Sequence, residues 1–135
     1  MCAARSGVDR ALGLSRPPTE ATVLTKADLQ KLAEMRIREA GILLAAGEFD
    51  GAYYIAGYAV EFALKACIIK RRLTVPEFWP DRKFTEQCHT HDLERLLGLA
   101  DLRTELDLAP AVLAKWSIVT DWTEQCRFDH GSLRR

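Results

Sequence analysis

The chain has 135 residues and nearly half of them are apolar, which fits one domain able to bury a real core. Nineteen basic and nineteen acidic residues cancel. Overall charge therefore argues neither for nor against nucleic acid, and any such site must be a local patch. The four cysteines, Cys2, Cys67, Cys88 and Cys126, form no CxxC and no zinc-finger spacing. The first twenty residues lack a continuous apolar segment of the secretory kind. Together these features predict a cytoplasmic protein with reduced thiols.

Residues 1–24 show no clear period, contain Pro17-Pro18 and scatter Arg5, Arg10 and Arg16, so they are expected to form a flexible N-terminal tail. A helix is predicted from Thr25, a suitable N-cap with Asp28 three residues on. Leu29, Leu32, Ala33, Ile37, Ala40, Leu43 and Leu44 follow helical spacing, and Gly47 is a C-terminal stop. The connection Glu48-Phe49-Asp50 permits only a tight turn, so the next helix should be an antiparallel neighbour, with Asp50 as its cap.

That next helix, GAYYIAGYAVEFALKACIIKRR from Gly51 to Arg72, is apolar on almost every side. Such a helix is expected to be the buried centre of the fold. A membrane span is the competing reading. It is disfavoured because Glu61 and Lys65 sit near the middle, where each charge costs about 2.5–3.5 kcal/mol. They are four residues apart with the acid first, so they share a face and can pair. Lys70-Arg71-Arg72 suits the negative end of the helix, and a phosphate patch is the alternative.

Leu73 to Cys88, with Pro76 and Pro80, reads as a connecting loop whose Phe78, Trp79 and Phe84 fold back on the bundle. Thr90 or Asp92 should cap a short helix carrying Leu93, Leu96, Leu97 and Leu99, and Leu102 and Leu106 continue through a second turn. Pro110 opens a last long helix in which Leu113, Trp116, Val119, Trp122 and Cys126 recur at threes and fours. Residues 131–135 form a short C-terminal tail. No stretch alternates with the period of a strand. The predicted fold is all-α, a four- to five-helix up-and-down antiparallel bundle over residues 25–130.

Candidate chemistry is sparse. Cys88, His89, His91 and Asp92 cluster in sequence, but their spacing matches no ligand pattern, so neither a metal nor another cofactor is expected. Metal-independent cleavage of RNA needs only a histidine to move a proton and an arginine to hold phosphate charge. Arg127 and His130 are the candidates for those roles; both being surface residues near the chain end is the competing reading.

The run LLAAGEFDGAYYIAGYAVEFALKACI, followed by HTHDLERLLGLADL and WSIVTDWTEQCRF, resembles the HEPN domain family over about Leu29 to Phe128. The resemblance implies an all-α bundle that commonly dimerises. It also implies prokaryotic toxin–antitoxin or defence roles, often beside a minimal nucleotidyltransferase partner. Several branches of the family are RNases that use an arginine and a histidine about four to six residues apart. Here only two residues separate Arg127 from His130. Family members usually continue through a further helix, so the expectation is either a shortened member or apolar surface left for a partner to cover. Three functions follow as alternatives. The first is a nucleotide-, RNA- or partner-binding module using Glu61, Lys65, His91 and Trp122. The second is an RNase toxin acting through Arg127 and His130 in a dimer. The third is a non-catalytic oligomerising bundle.

Overall fold

The computed structural model describes residues 24–72 and 82–128, and within them the chain is an all-α bundle. Six α-helices are present among the described residues: α1 (Lys26–Ala45), α2 (Phe49–Arg72), α3 (Arg82–Cys88), α4 (Leu93–Leu99), α5 (Arg103–Asp107) and α6 (Pro110–Val119). A 3-10 helix, Glu124–Phe128, follows.

Helix α1 starts at a complete capping box. The Thr25 hydroxyl accepts the Asp28 amide at 3.1 Å, and the Asp28 carboxylate accepts the Thr25 amide at 3.0 Å. It ends where Gly47 takes a φ of 82°, a left-handed conformation that favours glycine. The Gly47 and Glu48 amides donate back to Leu44 and Leu43, closing the turn. Helix α2 then begins at Phe49, so Asp50 lies inside its first turn rather than at its cap. One Asp50 oxygen, Oδ1, is buried and has no hydrogen-bond partner among the described residues.

The two long helices run antiparallel. Leu29, near the start of α1, packs with Ala66 and Ile69 near the end of α2, while Leu43 faces Gly51. Ala52, Ala59 and Ala66, seven apart on α2, are all buried and keep one stripe of the helix thin. The expected apolar face of α1 is buried only in part. Leu29 and Ala40 are inside, whereas Ile37 and Leu44 are 58% and 57% exposed.

The main core lies on the other flank of α2. Leu64 and Ile68 pack there with Cys88, Leu93, Leu96, Leu97, Ala100, Leu106 and Trp122. Short α4 supplies Leu93, Leu96 and Leu97 to it. Asp92 caps α4 by accepting the Arg95 amide at 3.1 Å, and Thr90 in turn accepts the Asp92 amide at 3.1 Å. Both residues proposed as caps thus take part, in series. Helix α2 from Phe49 to Arg71 is long and apolar enough, by length and composition, to cross a membrane. In this fold it is flanked by α1 on one side and by α4 and the Trp122 segment on the other.

Two sequence expectations need correction. The stretch between α2 and α4 is not loop throughout, because Arg82–Cys88 is helical and anchors the buried Cys88. Phe78 and Trp79 lie outside the described residues. The last helix is also not continuous: α6 stops at Val119, and Trp122 and Cys126 belong to a separate segment. The local reason is hydrogen-bond competition. Ser117 and Thr120 hydroxyls donate back to the Ala114 and Ser117 carbonyls, and the Trp122 amide donates to Val119 in a tighter turn. The tertiary reason is Trp122 itself, which is 2% exposed and lies against Gly57 of α2.

Candidate functional site

Four residues singled out from the sequence, Glu61, Lys65, His91 and Trp122, converge at the middle of α2. Glu61 is the buried charged residue of the described core, at 2% exposure. A carboxylate there is tolerated only with partners for both oxygens. Lys65, one turn along, donates to Oε1 at 2.6 Å. The Nδ1 of His91 lies 2.8 Å from Oε2. His91 arrives there because the Thr90–Asp92 caps fix the entry of α4. Its other nitrogen, Nε2, lies 3.0 Å from Oε2 of Glu124. Carboxylates only accept, so both His91 contacts are hydrogen bonds at once only when the ring carries both protons.

Tyr58 and Glu124 complete the arrangement, and the sequence reading did not include them. Tyr58 sits one turn before Glu61 on α2. Its ring meets Trp122 edge to face at 5.1 Å and His91 at 6.1 Å, and stacks beside Phe62 at 6.1 Å. The Tyr54 and Tyr58 hydroxyls share a hydrogen bond of 3.3 Å. This bond, burial, and the nearby Glu61 and Glu124 carboxylates push the Tyr58 phenol up to about 12. Trp122 donates its indole N–H to the Tyr54 carbonyl at 3.1 Å. A side chain at Gly57 would place its Cβ 2.0 Å from the indole, so only glycine admits this contact.

His91 forms the wall between two clefts. The first, about 320 Å³, has an apolar floor of Leu24, Leu29 and Phe62 and a polar rim of Lys65, His89, Thr90 and His91. Because Thr90 Oγ1 already accepts the Asp92 amide, its own proton is free to point outward. The second cleft, about 430 Å³, runs over His91, Asp92, Thr120, Trp122, Thr123 and Glu124. Cys88, His89, His91 and Asp92 do not converge on a point, and among the described residues no group of three or more ligating side chains could hold a metal.

Arg127 falls within the terminal 3-10 helix, but its side chain and all of His130 lie outside the described residues. The structure therefore brings the four binding candidates together without placing the proposed catalytic pair. Glycine inside the apolar run of α2 was a readable hint of a close approach by another ring. Nothing in the local pattern points to Glu124, which reaches His91 only through the turn after α6. Comparisons with protein-family models, with curated proteins and with solved structures find no match to the chain.

Proposed function

We propose that the chain is a HEPN-like helical module that binds a nucleotide, or the end of an RNA, in the cleft beside His91. In this reading it works in the cytoplasm as a homodimer. It is one component of a prokaryotic toxin–antitoxin or defence pair whose other member is a nucleotidyltransferase. The sequence resemblance supports the setting. The carrying observation is the cleft itself, in which Lys65, His89 and Thr90 offer donors and the His91 ring closes the rim over an apolar floor. Donors suit phosphate oxygens, and Phe62 with Leu24 and Leu29 suits the face of a base. The volume, about 320 Å³, is at the small end for ligand pockets and matches a single nucleoside phosphate rather than a larger cofactor.

Calorimetric titration with 5′-AMP and with a short oligoribonucleotide tests the reading. Both should bind, and His89→Ala, at an exposed position, should weaken AMP about tenfold, the effect of one hydrogen bond to a charged group. Folded protein that takes up neither ligand at millimolar concentration would overturn it.

The oligomerising reading has its own support. Ile37, Ala40, Leu44, Phe49, Ala52 and Tyr53 line a groove of about 490 Å³ whose walls are almost wholly apolar. An apolar concavity of that kind favours a protein surface as occupant, and the homodimer is the occupant proposed.

A further inference from the structure

We infer that the Glu124 carboxylate is an internal competitor, seated on His91 Nε2 where a second anionic group of the ligand binds. The inference rests on the nucleotide-binding reading and deepens it, because it selects ligands with two phosphates over ligands with one.

The two contacts of His91 are unequal. The Nδ1 contact goes to Glu61, which is 2% exposed and held from its other side by Lys65. That contact fixes the plane of the ring. The Nε2 contact goes to Glu124, and both side chains of that pair are 45% exposed. Exposed pairs contribute little, so a competing anion can displace Glu124 at small cost. The ring nitrogen it leaves is already aimed, because the buried pair does not move.

The surroundings show what the seat would accept. Thr123 and Gln125 line the same cleft as exposed residues and offer polar groups. The Trp122 indole and the Thr120 hydroxyl are committed to the Tyr54 and Ser117 carbonyls. The charged groups facing the ring are Glu61, Asp92 and Glu124 on one side of the balance and Lys65 on the other. Asp92 is engaged in capping α4. With Glu124 in place, an incoming phosphate meets a second exposed carboxylate, and with it gone only Asp92 remains. Removing Glu124 therefore frees the donor and lowers the repulsion together.

Because the imidazole separates the two clefts, a ligand engaging both must carry anionic groups on either side of it. A mononucleotide seated in the first cleft reaches one face of the ring. A dinucleotide with two phosphates reaches both. Affinities of 5′-AMP and pApA are measured for the full chain and for Glu124→Gln, whose exposed side chain leaves the fold intact by circular dichroism. The substitution should tighten pApA about fivefold, the scale of losing one exposed ion pair, and change AMP less than twofold. If AMP binds both proteins but pApA affinity is unchanged or weaker in Glu124→Gln, the inference falls and the nucleotide cleft stands. If pApA binds only the variant, the inference is supported in its strongest form. If no nucleotide binds either protein, the cleft reading and the inference fall together.

Discussion

Tyr58 holds its proton well past the range of an ordinary phenol, for reasons that are all local. Its hydroxyl shares a hydrogen bond with that of Tyr54 that favours the protonated phenol, burial disfavours the phenolate, and the carboxylates of Glu61 and Glu124 repel it. The linkage has a definite sign. The folded phenol, near 12, keeps a proton that the unfolded one loses near 10.0. Its contribution to stability is therefore complete below pH 10 and is lost as pH rises towards 12. The melting temperature should fall over that interval. Absorbance titration of the folded protein should show Tyr58 ionising late, with Tyr53 also delayed, chiefly by its burial. Folded protein in which all three tyrosines ionise together near 10 would show that Tyr58 lies in ordinary solvent. The same scale shows how legible the site was. Glu61 and Lys65 declared themselves, since two opposite charges four apart in an apolar helix have little else to do than pair. Glu61 binding His91 was not fixed by spacing. It needed the caps at Thr90 and Asp92 to turn the chain back onto α2.

At the scale of elements, the long helices were readable and the short ones were less so. The capping box at Thr25 and the left-handed Gly47 carry their own signatures, so α1 begins and ends where local chemistry says it should. The segment after α6 went the other way. Its apolar residues recur at helical intervals through Cys126, yet the helix breaks after Val119. Periodicity records which residues seek the interior and not whether one axis can deliver them all. Trp122 reaches Gly57 only if the axis is abandoned, and it gains a buried indole, an N–H bond to Tyr54 and an edge contact with Tyr58. Gly57→Ala tests this balance. Alanine would favour α2 by about 1 kcal/mol on propensity. Its Cβ, however, would sit 2.0 Å from the indole and push it out of its seat. Loss of a buried tryptophan's packing costs about 3–5 kcal/mol, so the net effect should be about 2–4 kcal/mol of destabilisation. Intrinsic tryptophan fluorescence should also shift to the red. A more stable Gly57→Ala protein would mean that Trp122 does not lie on that glycine.

For the whole molecule, the telling feature is apolar surface that the fold leaves outside. Ile37, Ile42, Leu44 and Phe49 are each more than half exposed around the α1–α2 turn, and Val112 and Ile118 are as exposed on α6. Not one side chain of α6 is fully buried; Trp116 and Val119 pack half-buried against the main core, and two polar contacts add to them. The Trp116 indole donates to Glu94 at 2.7 Å, and the Tyr53 hydroxyl donates to the Ile118 carbonyl at 3.2 Å. Tyr53 also lines the groove over α1, so the two apolar regions meet along its ring. A helix this apolar and this open is costly to keep in water, and a second copy of the chain would cover it at no cost in new sequence. A two-fold dimer places the same patch on both sides, so each substitution counts twice. The full chain should run as a dimer by size-exclusion chromatography with light scattering at tens of micromolar. Leu44→Glu, an exposed position whose change leaves the monomer core untouched, should bring two carboxylates face to face. Like charges at an interface cost several kcal/mol, so dimer dissociation should weaken affinity by at least about a hundredfold, with helical content unchanged. A wild-type chain that is monomeric under those conditions, or a Leu44→Glu dimer as tight as the parent, would remove the groove from the interface.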